Sequence, residues 1–267
     1  MDYKLPERPE ISNKGTFGRV LNISGSKYMT GAAILSSQAA LKSGCGYVIL
    51  ACDDEVLHAA SAQTQSIVFA PLEKIFSIIP TVQAVLIGCG LGTDNNAQEI
   101  FNTFFKQKID VPVVIDADGL NLLAQKTPQN LPEKLILTPH PKEASRLLDG
   151  TDTDEILSDT EKYARKITEE FECTTVLKSH KTVVISRSGE IYENNAPNNA
   201  MAKAGSGDVL AGIIVSFLGQ GLDEFNSAKT GVKLHSISGM IAREKIGEYC
   251  VMPQDLINFL PDAFKEI

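Results

Sequence analysis

Three side chains stand where chemistry is plausible: Asp208, His140 and Lys178, each beside a glycine-rich or proline-bounded turn. Asp208 closes the run Ala204-Gly205-Ser206-Gly207-Asp208, and an apolar stretch follows with Val209, Leu210, Ile213, Ile214, Val215, Phe217 and Leu218. That pattern predicts a glycine turn opening a helix that is apolar nearly all round, hence buried. The first turn of such a helix presents unpaired N–H groups and the positive end of the helix dipole. Glycine lets an anion come close to those amides. Gly205, Ser206 and Gly207 are therefore a candidate phosphate cradle, with Asp208 as a base beside it. The plainer alternative makes Asp208 a capping residue in a tight turn.

His140 sits between Pro139 and Pro141, just after the apolar run 135–138. Most lone histidines are structural, but this one follows a strand in a restricted backbone, which makes ligand contact an even alternative. Lys178 precedes Ser179-His180-Lys181-Thr182. Lys178 and Lys181 could balance phosphate charge, and Glu143 could reach a metal through water, although a solvated surface charge is the commoner role for a glutamate. Phosphoryl transfer needs such amides and cations, a base for the nucleophile and usually Mg2+. Gly88-Cys89-Gly90-Leu91-Gly92 follows an apolar strand and would expose amides at its carboxyl end. Its spacing is neither the dinucleotide fingerprint nor a P-loop.

The elements that must hold these residues alternate. Strands are predicted at 17–25, 47–51, 66–69, 84–87, 111–116, 135–138, 174–178, 182–186 and 191–193. Helices are predicted at 31–42 with Thr30 as cap, 54–62, 95–106, 119–124 with Asp118 as cap, 141–148, 153–171, 223–245 and 253–260. The helix opened by Ser206-Gly207-Asp208 completes the set. Alternation of strand and helix implies a three-layer α/β/α sandwich, a mostly parallel central sheet with helices on both faces. The short hairpins at 174–193 add antiparallel strands at one edge. Every candidate residue follows a strand, at the edge where open α/β sheets bind ligands. No repeat or linker interrupts the 267 residues, so they are read as a single domain, 1–267.

Bulk properties narrow the class. The formal net charge is −8 with no basic run, which argues against nucleic acid. No apolar run is long enough to span a bilayer, and the charged N-terminus, with Pro6 and Pro9, has no signal core. Five cysteines without a C-x-x-C pair read as reduced thiols in a cytoplasmic protein. His58 and His235 read as structural.

The run Ala204-Gly205-Ser206-Gly207-Asp208-Val209-Leu210-Ala211-Gly212 resembles the anion-hole motif of the ribokinase-like superfamily. Further segments narrow the resemblance: Lys14-Gly15-Thr16-Phe17-Gly18-Arg19-Val20, Gly88-Cys89-Gly90-Leu91-Gly92, Asp116-Ala117-Asp118-Gly119-Leu120-Asn121, Thr138-Pro139-His140-Pro141-Lys142-Glu143 and Lys178-Ser179-His180-Lys181-Thr182. In this order, from about residue 14 to 260, they look like the ADP/ATP-dependent NAD(P)H-hydrate dehydratases. The resemblance implies dehydration of the S-form of hydrated NADH or NADPH, with ADP converted to AMP and phosphate, or with ATP in its place. It implies that Ala33, Gly92, His140 and Asp208 contact the hydrated cofactor. Lys178, Ser179, His180, Lys181 and Thr182, with Gly205, Ser206 and Gly207, would hold the nucleotide. It further implies Mg2+, with unknown ligands, a homotetramer and a separate NAD(P)H-hydrate epimerase, because no epimerase domain precedes the match. Cys89 stands where the family's turn often has proline. Two rival readings remain. One is a ribokinase-like kinase of pyridoxal, hydroxymethylpyrimidine or hydroxyethylthiazole type, which would accumulate a phosphorylated product. The other is a non-catalytic nucleotide-binding regulator, which would tolerate Asp208→Asn.

Overall fold

The computed structural model describes Tyr3 and residues 5–267; Met1, Asp2 and Lys4 of the charged N-terminal stretch lie outside the described residues. In chain order the strands are β1 (Arg19–Ile23), β2 (Tyr47–Cys52), β3 (Val68–Pro71), β4 (Ala84–Ile87), β5 (Val113–Ile115), β6 (Leu135–Leu137), β7 (Thr174–Leu177), β8 (Lys181–Ile185) and β9 (Ile191–Asn195). The helices are α1 (Thr30–Lys42), α2 (Asp54–Ser61), α3 (Ile75–Ile78), α4 (Asn95–Phe105), α5 (Asp118–Gln125), α6 (Pro141–Leu147), α7 (Thr153–Ser158), α8 (Thr160–Phe171), α9 (Ser206–Gly219), α10 (Glu224–Ile246), α11 (Pro253–Asn258) and α12 (Leu260–Ala263).

The strands form one sheet in the order β3-β2-β1-β4-β5-β6-β7-β8-β9. From β3 to β7 all neighbours are parallel; β8 and β9 run antiparallel at one edge. From β1 the chain winds outward through β2 and β3, then crosses to β4 on the other side of β1. That reversal opens a crevice beyond the carboxyl ends of β1 and β4, the usual ligand position in open α/β sheets.

Side chains alternate across each strand with period two. Leu21, Ile23, Val85, Ile87, Val113 and Ile115 meet Phe101, Phe104 and Phe105 of α4, Leu120 of α5 and Ile167 of α8. Val20, Ala84, Leu86, Val114, Ile136 and Val176 face Leu210, Ile214 and Leu218 of α9 and Val232 of α10. With both faces covered, the central strands are apolar on both sides, and the three-layer sandwich follows. Helix α9 is buried nearly all round because the sheet, α1 and α10 enclose it. Gly212 permits the contact with α1: a Cβ there would lie 2.2 Å from the Ser36 carbonyl oxygen.

Several boundaries differ from those the sequence predicts. The segment 153–171 is two helices, because the Asp159 side chain accepts a hydrogen bond from the Lys162 N–H and starts α8 anew. Residues 253–260 likewise divide, with Leu260 opening the short α12. Thr30 is the first helical residue of α1 rather than its cap; Met29 holds that place without a side-chain bond. Asp118 is the first residue of α5, preceded by Ala117 at φ 51°. The small-residue stripe on α10 lies in the interior, with Ala228, Val232, Gly239 and Ala242 buried. Among the described residues, no helix is long and apolar enough to cross a membrane.

Candidate active site

The crevice is assembled from the carboxyl ends of β4, β5, β6 and β7 and the start of α9. Gly205, in the left-handed region at φ 101°, is the N-cap of α9, so Ser206, Gly207 and Asp208 form its first turn. A Cβ on Gly205 would press on Leu35 and Pro253 at 2.7 and 2.9 Å. The Ser206 carbonyl is met by His235 Nε2 at 2.9 Å, which ties α10 to this turn. Burial, against the hydrogen bond to Ser206, depresses His235 to about 4, so its ring is neutral at ordinary pH. Nε2 is then the protonated nitrogen and donates to that carbonyl.

Asp116, at the end of β5, is the hub. It is 1% exposed. Its Oδ1 accepts from Lys178 Nζ at 2.7 Å and from Thr138 Oγ1 at 2.6 Å, while its Oδ2 faces Cys89 Sγ at 3.7 Å. Cys89 Sγ and carboxylate oxygens of Asp116 and Asp208 all lie within 4.8 Å of one another. Burial raises the Asp208 carboxyl to about 6, and the charge of Asp116 adds to the rise; Cys89 and Lys178 work against it. Burial lowers the Lys178 ammonium, but Asp116 and Glu143 outweigh it, so the net shift is upward and the lysine stays charged. The Cys89 thiol is pushed well up by burial and then by both aspartates, which keeps it protonated.

The backbone of this hub is under constraint. Ala117 has φ 51° and ψ −118°, a conformation that costs a non-glycine residue on the order of 1–3 kcal/mol. It turns Asp116 into the crevice while Asp118 Oδ2 accepts from the Gly92 N–H at 2.9 Å. Gly88, at φ 122°, passes so close that a Cβ would lie 2.2 Å from the Asp116 carbonyl oxygen. The Gly88-Cys89-Gly90-Leu91-Gly92 turn is thereby locked to the β5–α5 connection.

His140 caps α6. Its Nδ1 accepts from the N–H groups of Lys142 and Glu143 at 3.1 and 3.2 Å, and the Glu143 carboxylate accepts from the His140 N–H at 2.8 Å. This is a reciprocal capping box. With Nδ1 occupied as an acceptor, Nε2 is the protonated nitrogen, and it lies 3.4 Å from Glu143 Oε1. Burial and the nearby Lys178 charge lower the His140 pKa. Glu143 is buried, and its pKa is raised chiefly for that reason. Its carboxylate lies 4.0 Å from Lys178 Nζ.

The structure thus brings together Gly92, His140, Lys178, Gly205, Ser206, Gly207 and Asp208. Lys178 Nζ lies 3.3 Å from where a Gly207 Cβ would be, so the ammonium faces the α9 amides directly. Ser179 and Thr182 cross-bond within their turn: Ser179 Oγ accepts from the Lys181 N–H and donates to its carbonyl, and Thr182 Oγ1 donates to the Ser179 carbonyl. Lys181 leans away, onto Glu193 at 2.5 Å, and His180 is exposed at the rim. Ala33 is fully buried with its methyl toward Gly25; its neighbour Ala32 meets the Gly90 turn. Sequence reasoning left Cys89 as a turn residue, passed over Asp116 and assigned His235 only a structural place. The Asp116 signal was a carboxylate at the end of a buried strand. Nothing local in the sequence of α10 points to Ser206.

The family model for NAD(P)H-hydrate dehydratase matches residues 20–262. An ADP-dependent (S)-NAD(P)H-hydrate dehydratase of Neisseria meningitidis is 40% identical over 244 residues, 90% of this chain and 82% of that protein. The crystal structure of a ribokinase-like superfamily protein from Enterococcus faecalis superposes with a TM-score of 0.88 at 31% identity, covering 98% of this chain and 91% of that one. An ADP/ATP-dependent NAD(P)H-hydrate dehydratase of Bacillus subtilis, co-crystallised with ATP and Mg2+, has a TM-score of 0.87 at 28% identity, over 98% of this chain and 94% of that one.

Proposed function

Because the chain belongs to the NAD(P)H-hydrate dehydratase family, we propose that it restores hydrated NADH and NADPH, in their S-form, to the dihydronicotinamides while ADP becomes AMP and phosphate. The observation that carries the reading is the pairing of Asp208 with the α9 amides, opposite the Gly92 turn and His140. A base, an anion hole and a separate wall for the ring are the three parts the reaction needs.

The chemistry follows from the hydrate's hydroxyl group. Hydroxide is a poor leaving group, whereas a phosphate ester leaves readily. Asp208, ionised above about pH 6, takes the hydroxyl proton as that oxygen attacks the terminal phosphorus of ADP. The bond to AMP breaks, and the amides of Gly205, Ser206 and Gly207 with the Lys178 ammonium hold the transferring phosphoryl group. The ring nitrogen's lone pair then expels phosphate from the neighbouring carbon. Loss of a proton from the next ring carbon restores the double bond. His140 would offer its Nε2 proton to the hydrate in exchange for Glu143 Oε1, 3.4 Å away, because Nδ1 is spent in the capping box. Ala33 would act only through its backbone, being fully buried. Of the turn 178–182, Ser179 and Thr182 shape the loop, while Lys181 and His180 lie at the rim where an adenosine would emerge.

Magnesium fits this donor set in one way. Asp116, Glu143 and Asp208 surround the single ammonium of Lys178, so a polyphosphate would arrive with its own counter-cation. Magnesium prefers oxygen ligands and retains waters; Asp116 and Glu143 would hold it through those waters, and Cys89 would not ligate it. Bound there, it supplies charge neutralisation on the phosphates.

We further assign a homotetramer, whose contacts would cover the exposed Met240, Tyr249 and Met252, and a separate epimerase that supplies the S-form. Light scattering tests the first. Product analysis tests the reaction itself: NADH, AMP and phosphate should appear in equal amounts, and a stable phosphorylated organic product would point to a kinase instead.

A further inference from the structure

Immediately beyond Gly92, between α5 and α6, the surface carries a hollow of about 510 Å³. Thr93, Asn121, Gln125, Arg146 and Asp149 are among its walls. Hydrogen bonds tie it to the crevice. The Gly92 N–H donates to Asp118 Oδ2, Asn121 Nδ2 donates to Asp118 Oδ1 at 3.3 Å, and Arg146 donates to Asn121 Oδ1 at 2.7 Å. Arg146 forms no ion pair among the described residues. Its guanidinium is exposed, with one N–H committed to Asn121.

Building on the dehydratase reading, we propose that this hollow takes the phosphate-bearing arm of the hydrated dinucleotide and that Arg146 grips one of its phosphates. A nicotinamide ring against Gly92, His140 and Asp208 leaves its long arm to exit the crevice. The α9 amides and the turn 178–182 are taken by the second nucleotide on the other side. The open way out passes Thr93 into the hollow. There a guanidinium offers the planar, forked donors that match a phosphate. Its orientation is already fixed by Asn121, so little freedom is lost on binding. Asp149 shares the hollow and suits a ribose hydroxyl, from which a carboxylate accepts. The pyrophosphate belongs to both hydrated cofactors, whereas the 2′-phosphate belongs to hydrated NADPH alone. The two sources present the same chemistry to Arg146.

Steady-state kinetics with hydrated NADH and hydrated NADPH test this, using wild type, Arg146→Ala, Arg146→Lys and Gln125→Glu. Wild type is measured first; failure to turn over either hydrate would sink the dehydratase reading and the proposal with it. A charge-assisted contact to phosphate predicts that Arg146→Ala raises the KM for the hydrated dinucleotide about tenfold or more, with the KM for ADP within about twofold. Lysine should recover part of the loss, since it keeps the charge and loses the fork. Gln125→Glu should raise the same KM by placing a second carboxylate in the hollow. A rise for both substrates assigns the pyrophosphate; a rise confined to hydrated NADPH assigns the 2′-phosphate. An unchanged KM for both hydrates, or an equal rise in the KM for ADP, overturns the proposal. Arg146 is exposed, so a thermal melt close to wild type should accompany each variant.

Discussion

Asp116→Asn separates the charge that, after burial itself, does most to keep Asp208 protonated. Carboxylate oxygens of the two residues lie within 4.8 Å. Unit charges at that spacing repel by about 3 kcal/mol at an effective dielectric near 20. Lys178, 2.7 Å from Asp116, stays in both proteins and so does not offset the change; screening by water, at a dielectric nearer 80, reduces it instead. About 1 kcal/mol remains, which is somewhat under one pKa unit. The direction follows from the role of Asp208. The base acts ionised, so kcat/KM rises with pH through its pKa. Removing a neighbouring negative charge eases ionisation, so the rising limb moves to lower pH, from about 6 toward about 5. The assay is kcat/KM across that range at fixed ionic strength, with the nucleotide's own titration common to both proteins. At pH 5 wild type should run at about a tenth of its plateau and the variant at about a third. The plateau itself will drop, because Asp116 also holds Lys178; only the midpoint is diagnostic. A limb that stays in place, or moves alkaline, refutes either the coupling of Asp208 to Asp116 or the identity of the base.

Asp208→Asn should lower kcat by about 10²–10⁴-fold while nucleotide still binds, measured by turnover and by titration of ADP. The same variant should be more stable. The folded pKa of Asp208 lies above its unfolded value, so the stability this group contributes is complete at low pH and lost as pH rises through about 6. An amide cannot ionise, and denaturant melts at pH 8 should show a gain of up to about 3 kcal/mol. Ala117→Gly should stabilise by about 1 kcal/mol, because strain at φ 51° outweighs the added freedom of the unfolded chain; a Tm below wild type would contradict the strain. Gly88→Ala places a methyl on the Asp116 carbonyl, and should cost about 3 kcal/mol or more in denaturant unfolding and most of the activity.

The parallel sheet, its antiparallel edge and the ligand edge were readable from chain order, because apolar strands alternating with helices leave few topologies. The glycine turn that opens α9 was readable because glycines and an aspartate preceded an apolar run. Helix breaks were less so. Asp159 looks like one more polar residue in a periodic run, and only its capping bond to Lys162 divides the helix. Asp118 carries the sequence mark of a cap, yet its carboxylate goes to Gly92, across 26 residues. Separation in sequence also hid the hub. Asp116 is joined to Cys89, Thr138 and Lys178 by folding alone, and His235 reaches Ser206 from a helix whose pattern reads only as packing. The burial of Ala33, with its methyl against Gly25, was set by the packing of α1 and left no local mark in the sequence.

The central claim is nucleotide-driven dehydration at Asp208. The most direct measurement mixes purified protein with chemically hydrated NADH, Mg2+ and ADP, and follows the dihydronicotinamide absorbance band together with released phosphate. The account predicts recovery of absorbance that requires nucleotide, matched one for one by phosphate, and lost in Asp208→Asn. Absorbance that stays flat with ADP and with ATP, on substrate shown to be intact, would contradict it.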